Sequence, residues 1–454
     1  MIRKISAPIN ICLFLTEVCN LRCEYCLNFW RHTDARKGTM SEEDFDRLVE
    51  MFVKAQVFYV ILNGGEPMTK YTLLEHALLK LRENNISYTV NSNLTLADEE
   101  KLRRLIDAGM DHVLTSFICH DPKITDETVG VPGTFDRMIR GIKLAVKMGV
   151  RVDANMVVGN HNSQDIYKTG QLAHSLGCDK FFGTRLVPVP SDNKIEGTAQ
   201  AVAREDAIAT LDELLKLKNN TGIMVGSLVS YPLCLLGDLE KYADFVTRGC
   251  PSQSGRRMSI YANGDYSACP HEPRFYGNVF KEGLIEAWNN ISTWREGGFH
   301  FEGCEGCDYI DVCNTGCRTS SLAYFNKQNG PDPLMTNKNN FVKKYRIVYD
   351  EGFLKKLDEN VRFTVPGRIR FRKEEGFYLV NIRWGNTISV DTEIAEFLLK
   401  YQQNKESFCL EDFGKEKKNT LANLFFKDVV ENKEMKYGDN RHRIGLSVDP
   451  STLK

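Results

Sequence analysis

The chain has 454 residues, a formal net charge of −1, 42% hydrophobic and 26% charged residues. That balance gives no broad electrostatic pull toward nucleic acid or an anionic membrane, and the length suits two or three domains. Apolar runs such as Val57–Leu62 are too short to cross a bilayer, and the charged start, Met1–Ile5, lacks an apolar signal core; no nucleic-acid or membrane partner is expected, and the expected location is cytoplasmic.

In chain order, β-rich apolar runs lie at Ile9–Leu15, Val57–Leu62, Ile86–Val90, His112–Ile118, Val150–Val158 and Lys180–Val187. Segments of helical period separate them: Ser41–Ala55, Tyr71–Asn84, Ala97–Ala108, Thr134–Met148 and Ser163–Leu176. Ser41 with Asp44 resembles a capping box, and Gly109, Gly149 and Gly177 stand where a helix wants a left-handed C′ residue. Six βα units predict an α/β fold, a partial (β/α)6 TIM-type barrel with its chemistry at the C-terminal ends of the strands. A helical segment, Val202–Lys218, leads to a cysteine-rich region at Cys234–Ser321; Asn326–Asn339 is polar and reads as a linker. Strand-like alternation follows at Arg368–Lys373, Phe377–Ile382 and Thr387–Val390, with helical stretches at Thr392–Gln402 and Thr420–Glu431.

Fourteen cysteines in a reducing compartment point to metal sites rather than disulfides. Cys12, Cys119, Cys178 and Cys409 stand apart and read as small buried residues. Cys19, Cys23 and Cys26 fall within eight residues just after the first strand. Three thiolates so placed can wrap one face of an iron–sulfur cluster and leave one iron without a protein ligand. A zinc knuckle is the alternative, but zinc wants a fourth ligand and the nearest, His32, fits poorly.

Cys-x3-Cys-x2-Cys, with Asn20-Leu21 after its first cysteine and Tyr25 before its third, resembles the radical S-adenosylmethionine (SAM) superfamily. Gly64-Gly65-Glu66-Pro67 after the second strand is similar to that family's GGEP motif; Gly64 and Gly65 permit close backbone approach, and exposed backbone acceptors can hold the SAM ammonium. Asn91-Ser92-Asn93 ends the third strand where the family often has Thr-Asn-Gly. Ser116 lies in the fourth strand, where many members have Ser-x-Asp-Gly; here Ser116-Phe117-Ile118-Cys119 lacks the Asp and Gly. The resemblance implies that Gly64, Gly65, Glu66, Pro67, Asn93 and Ser116 bind SAM. It also implies a 4Fe–4S cluster whose open iron takes the amino and carboxylate groups of SAM. One electron then cleaves SAM to methionine and a 5′-deoxyadenosyl radical, which takes a hydrogen atom from substrate.

Cys250, Cys269 and the run Cys304-x2-Cys307-x5-Cys313-x3-Cys317 resemble the SPASM extension of these enzymes, which holds two auxiliary clusters; a zinc ribbon is the alternative. The resemblance implies that Cys250, Cys269 and Cys317 share one cluster, joined by Cys234, and that Cys304, Cys307 and Cys313 share the other. With the SAM-binding cluster this makes three 4Fe–4S clusters. The second auxiliary set then lacks a fourth thiolate, for which Asp308, Asp311, Cys409 or a substrate thiolate could stand in. His271 reads as a hydrogen-bonding neighbour.

The last unit, with Gly385-Asn386 as a hairpin turn, faintly resembles the winged-helix-like peptide chaperone of pyrroloquinoline-quinone biosynthesis. Such a domain would bind a leader peptide by strand addition, and the arginines alternating through Arg368–Arg372 would favour an acidic leader. The expected division is 1–200 radical SAM barrel, 201–247 bridging helical segment, 248–325 SPASM domain, 326–360 linker, 361–440 possible peptide-recognition domain and 441–454 tail.

The function this implies is modification of a ribosomally made peptide or protein by a thioether, a crosslink, epimerisation or oxidation. The expected partners are that precursor and an electron donor such as flavodoxin or ferredoxin; the sequence does not indicate an oligomeric state. Maturation of a cofactor or tetrapyrrole is the second reading, and a non-catalytic iron–sulfur or zinc scaffold the third. In an epimerase Cys119 would return the hydrogen atom.

Overall fold

The computed structural model describes residues 4–28, 38–188, 190–191, 194–195, 201–246, 249–272, 274–336, 357, 360–383 and 386–432. His32, most of the 326–360 linker, Gly385 of the hairpin turn and the tail after Tyr437 lie outside the described residues.

Six parallel strands form the centre of the sheet: β1 (Asn10–Phe14), β2 (Tyr59–Asn63), β3 (Ser87–Ser92), β4 (His112–Ser116), β5 (Arg151–Val158) and β6 (Lys180–Arg185). Between them run α1 (Glu42–Lys54), α2 (Tyr71–Glu83), α3 (Glu99–Asp107), α4 (Pro122–Val129), α5 (Thr134–Lys147) and α6 (Ile166–Ser175). The partial barrel is thus as the βα rhythm predicts. Its helix ends follow local chemistry. The Ser41 Oγ accepts the Asp44 N–H at 3.0 Å, and an acidic first turn and Lys54 in the last complement the dipole of α1. The reciprocal half of the expected capping box is absent, because the Ser41 hydroxyl donates to the Asp44 carboxylate instead. Gly109, Gly149 and Gly177 each have φ between 84° and 116° directly after a helix. Helix α4 has no counterpart in the sequence reading; Asp121 caps it and Pro122 takes its first turn, a place where proline starts a helix rather than breaking one.

The sheet does not stop at six strands. A two-residue ribbon, β7 (Pro190–Ser191) with β8 (Lys194–Ile195), and the long helix α7 (Arg204–Thr221) precede β9 (Met224–Gly226), which pairs parallel to β6. At the other edge β10 (Arg257–Ile260) pairs parallel to β1, and β11 (Asp265–Ser267) and β12 (Gly277–Asn278) follow antiparallel. One ten-stranded sheet therefore runs from the cysteine-rich segment through the barrel, and one apolar core includes Trp288 and Trp294 beside Leu13 and Val60.

The C-terminal strands β13 (Arg370–Glu374), β14 (Phe377–Arg383) and β15 (Asn386–Asp391) form a separate antiparallel sheet, followed by helices at Thr392–Asn404 and Lys418–Phe426. Alternation divides its two faces. Val380 and Ile382 enter this unit's own core with Phe408 and Leu421, whereas Phe377 and Leu379 join the barrel core. The face that carries Arg370 and Arg372 is docked on the barrel rather than open to a ligand. Arg372 donates to the carbonyls of Ala7 (2.7 Å), Pro8 (3.1 Å) and Gln56 (3.3 Å) and pairs with Glu374 (2.8 Å). Arg370 donates to the carbonyls of Phe58 and Asn85. These acceptors sit just before β1, β2 and β3, at the N-terminal end of the barrel. The expectation that these arginines attract an acidic leader is corrected: period-two alternation marks two faces but not which neighbour each face meets. Cys409 likewise belongs here, at the N-cap of the short helix Leu410–Phe413, with its N–H on Asp412 at 2.9 Å. That excludes it as the missing ligand of the second auxiliary set.

Candidate active site

The inward row of every central strand, from its first residues to its C-terminal end, lines a cavity of about 930 Å3. The row alternates as a strand must: Asn10 and Cys12 from β1, Tyr59, Ile61 and Asn63 from β2, Thr89 and Asn91 from β3. Asp153 and Asn155 from β5 and Lys180 and Thr184 from β6 continue it. The outward row, Val60, Leu62, Val113 and Val152 among it, is buried under the helices.

The loop after β1 carries Cys19, Cys23 and Cys26, and all three line this cavity. Six hydrogen bonds in three groups fix the loop. The Arg22 and Glu24 N–H groups donate to the carbonyls of Val129 and Thr128 at the end of α4, at 2.9 and 3.1 Å. The Gly65 and Glu66 N–H groups donate to Thr16 and Val18 at 2.7 and 2.8 Å. The Asn20 side chain bridges Thr95 (2.8 Å) and Asn93 (3.0 Å). Tyr25 lies against the same three sulfurs, and burial first, then their charges, pushes its phenol well above its usual value.

The structure brings Gly64, Gly65, Glu66, Asn93 and Ser116 onto the cavity wall beside the three cysteines. The two glycines are there because the chain passes directly over the cysteine loop: a Cβ on Gly65 would lie 2.3 Å from the Val18 carbonyl oxygen, and one on Gly64 2.6 Å from that of Thr16. Glu66 departs from its expected role, because its buried carboxylate is fully engaged by protein donors. It accepts from the Ser92 hydroxyl (2.7 Å), the Met68 N–H (2.9 Å) and the Asn93 N–H (2.7 Å). Burial raises its pKa and those three donors oppose the rise. Glu66 thus ties the end of β2 to the end of β3, and its carbonyl is engaged as well, by the Thr69 N–H (3.0 Å) and hydroxyl (2.7 Å). Pro67 is buried at the first position of the short helix Pro67–Lys70 and is not among the residues lining the cavity, so binding there is not its task. Cys119 is buried too, held by the Asp121 N–H (3.5 Å) and near the His120 ring (3.7 Å), and does not line the cavity. A hydrogen-atom donor must face the substrate, so this placement corrects the role given to Cys119.

The residues fit the cofactors the motif implies. Three thiols on one loop are the donors a 4Fe–4S cluster takes, with one iron left over. Elsewhere on the same cavity wall, buried oxygens of Asn10, Asn91 and Thr115 have no hydrogen-bond partner among the described residues, as expected of a wall built for a polar ligand. Sequence reasoning missed these and the charged inner row: His112 bonds Asp153 (3.0 Å) and Thr89 (2.9 Å), and Lys180 reaches Asp153 at 3.2 Å. The signal was present, because polar residues at every second place of otherwise apolar parallel strands mark a wetted inner face.

The cysteine-rich segment closes one side of the cavity with Gly249, Pro251, Pro270, His271 and Asp311. Its thiols divide into two neighbourhoods. Cys250, Cys269 and Cys317 act on one another electrostatically, and burial together with that mutual repulsion raises the Cys250 and Cys269 thiols. His271 Nδ1 lies 3.9 Å from the Cys269 sulfur, as a hydrogen-bonding neighbour would. Cys313 is raised by burial; the Leu233 N–H opposes this at 3.5 Å, and the charges of Cys234 and Cys304 add to it. Cys234 therefore keeps company with the set of Cys304 and Cys313, contrary to the expected grouping. Arg185, at the end of β6, joins barrel and cysteine segment through a buried bidentate pair with Asp332 (2.6 and 3.0 Å), and Asp332 in turn accepts the Cys317 N–H at 2.7 Å.

Among the described residues no helix is long and apolar enough to cross a membrane. Residues 13–198 match the Radical SAM superfamily. An AdoMet-dependent heme synthase of Methanosarcina barkeri is 24% identical over 71% of this chain and 95% of its own. A PqqA peptide cyclase of Granulibacter bethesdensis is 24% identical over 72% of this chain and 87% of its own. Among solved structures, Streptococcus suis SuiB bound to its precursor peptide SuiA superposes with a TM-score of 0.58 at 18% identity, over 72% of this chain and 75% of that one.

Proposed function

We propose, on the match of residues 13–198 to the Radical SAM superfamily, that this enzyme cleaves SAM reductively and takes a hydrogen atom from a ribosomally made peptide to install a lasting modification. The observation that carries the reading is the shared cavity: the Cys19–Cys26 loop and the cysteine-rich segment face one space of about 930 Å3. Similarity to a peptide cyclase and likeness in fold to a peptide-bound enzyme favour a peptide as its occupant. Cys19, Cys23 and Cys26 would hold the SAM-binding 4Fe–4S cluster, and the other cysteine sets two auxiliary clusters. When bound, the first cluster supplies the electron that converts SAM into a 5′-deoxyadenosyl radical. The chain's own residues do the rest. The backbone at Gly64 and Gly65 would offer carbonyl acceptors to the SAM ammonium, Asn93 and Ser116 would offer polar contacts on the adjoining strands, and the enclosing sheet would keep bulk water from the radical. Electrons would come from a small cytoplasmic donor such as flavodoxin or ferredoxin.

The expected division of labour is a barrel for radical chemistry, a cysteine-rich unit for the auxiliary clusters and a C-terminal unit for the precursor. Since the arginine face of β13 is docked, strand addition to an edge of that sheet, β13 or β15, is how that unit would hold a leader. A second reading, action on a tetrapyrrole, draws on the similarity to heme synthases. Mass spectrometry of short precursor peptides coexpressed with the enzyme separates the two: a mass shift in the peptide supports the first, and an unmodified peptide with turnover of a porphyrin precursor supports the second. Replacing Cys19, Cys23 and Cys26 by Ala should abolish 5′-deoxyadenosine formation and remove about four of roughly twelve irons. Undiminished 5′-deoxyadenosine from that variant would overturn the assignment.

A further inference from the structure

We propose that Cys119 Sγ, His120 Nδ1 and the Asp165 carboxylate form a binding site for a zinc ion, which clasps the ends of β4 and β5 from outside the cavity. The site is separate from the cysteine sets described above, and nothing in it depends on turnover.

The three ligand atoms come from two loops. Cys119 and His120 follow β4, and Asp165 closes the short helix Ser163–Asp165 that leads into α6. All three atoms lie within 4.8 Å of one another. The His120 Nδ1 is 3.7 Å from the Cys119 sulfur and 3.7 Å from an Asp165 oxygen. That nitrogen–oxygen separation is too long for a hydrogen bond. It is close to the edge of a zinc tetrahedron: with Zn–S of about 2.3 Å and Zn–N and Zn–O of about 2.0–2.2 Å, neighbouring ligand atoms stand about 3.3–3.6 Å apart.

Two simpler arrangements fit less well. A nucleophilic Cys–His–Asp relay uses both ring nitrogens, one toward the thiol and one toward the carboxylate; here both partners face the same nitrogen. An ordinary helix cap would turn the Asp165 carboxylate to the N–H groups of the first turn. Asp165 is the N-cap of α6, yet its side chain makes no capping bond and faces His120 instead. The sulfur is prepared as a ligand. It accepts the Asp121 N–H at 3.5 Å and is bonded by the Thr169 hydroxyl, which itself accepts the His120 N–H at 3.0 Å. Donors of this kind stabilise charge on a metal-bound thiolate. One thiolate, one imidazole and one carboxylate suit zinc, whereas magnesium and calcium want oxygen alone. Zinc also outranks ferrous iron at such a site. The His120 and Asp165 side chains are 27% and 23% exposed, which gives an ion a way in and leaves the fourth position to water.

The clasp has a wall to act on. Ile118, next to Cys119, lines the cavity, and Asn162, from the loop of Asp165, donates to the Ile118 carbonyl at 3.4 Å. A zinc ion would add a second and stronger tie between these loops, and so hold the strand ends that carry Ser116 and Asn155 to the cavity.

The test uses the full chain with its clusters first filled by anaerobic reconstitution, then given one equivalent of zinc and desalted. Wild type should retain about one zinc, and its zinc-edge X-ray absorption, which iron does not disturb, should show one sulfur at about 2.3 Å with nitrogen or oxygen at about 2.0–2.2 Å. His120→Ala and Asp165→Asn should each weaken zinc binding by roughly tenfold or more while iron content stays at the wild-type level. Cys119→Ser should remove the sulfur from the zinc shell. Zinc should raise the thermal transition of wild type and leave that of His120→Ala unmoved. The sulfur count in wild type decides even where a variant folds poorly. A shell of three or four sulfurs, zinc binding unchanged in His120→Ala, or no zinc retained by wild type would overturn the site.

Discussion

Replacing Asp332 by Ala should break the joint between the barrel and the cysteine-rich segment. Asp332 and Arg185 are both almost fully buried, at 0% and 3% side-chain exposure. Burial works against the Asp332 charge, yet Arg185 and two backbone N–H donors hold its carboxyl below the ordinary range, while the same pair raises Arg185. The substitution removes both guanidinium contacts and the acceptors for the Cys317 and Leu334 N–H groups. It leaves a buried guanidinium with the Ser230 carbonyl, at 2.7 and 3.1 Å, and the face of the Tyr231 ring. Removing one partner of a buried pair costs about 3–5 kcal/mol. At about 2 °C per kcal/mol for a unit of this size, the transition falls by roughly 6–10 °C. Urea unfolding of the anaerobically reconstituted enzyme, followed by circular dichroism and by cluster absorbance, reads both the stability and whether the Cys317 site bleaches first. The double variant Arg185→Met with Asp332→Leu should recover most of the loss, because an apolar pair of similar volume replaces two desolvated charges. An Asp332→Ala enzyme within about 1 kcal/mol of wild type would refute this account of the joint.

Gly65→Ala should push the cysteine loop off the strand end, because its Cβ meets backbone at 2.3 and 2.9 Å; titration calorimetry should show SAM binding weakened by roughly tenfold or more, about 1.4 kcal/mol. Binding unchanged by Gly65→Ala would show that the loop can move aside. Asp153 is buried, which disfavours its charge, but His112 and Lys180 hold its pKa below the usual carboxylate value. Its contribution is therefore complete above the unfolded value of about 3.9 and disappears as pH falls through the lower folded value. Asp153→Asn should accordingly make the acid limb of stability against pH shallower, and an identical limb would count against it. Arg372→Ala should leave the Glu374 carboxylate with the Ser6 N–H but no cation and loosen the C-terminal unit, read as faster release of a C-terminal fragment in limited proteolysis, with Arg372→Lys failing to rescue because a lysine lacks the planar fork. Equal cleavage rates for wild type and Arg372→Ala would argue that Arg370, Phe377 and Leu379 hold the dock without it.

Local chemistry made much of this legible in sequence. The six βα units, the cap at Ser41 and the glycines after three helices are decided within a few residues of one another, and period and capping read such distances well. The Cys19–Cys26 loop was legible for the same reason, since all three thiols share one turn. What escaped was set by contacts across the chain. Nothing near Cys234 says that its turn will lie against Cys313, some 80 residues on. The alternation at Arg370 and Arg372 was read correctly as two faces, but which face meets the barrel depends on carbonyls at Ala7, Pro8 and Phe58. Glu66 looked like a ligand because it sits in a motif, and only the donors from Ser92, Met68 and Asn93 show that its carboxylate is occupied.

The pairing of β10 with β1 also shapes how the chain can acquire its structure. Asn10 lies opposite Arg257, a separation of roughly 250 residues, so the outer edge of the first strand stays uncovered until most of the protein has been synthesised. During that interval β1 presents bare N–H and C=O groups to any other extended chain. Nascent or truncated forms that end before Arg257 should be prone to association, with fragments reaching past Ser267 markedly less so. The cysteine loop hangs directly from that same strand, so its thiols gain a settled position only once the edge is closed.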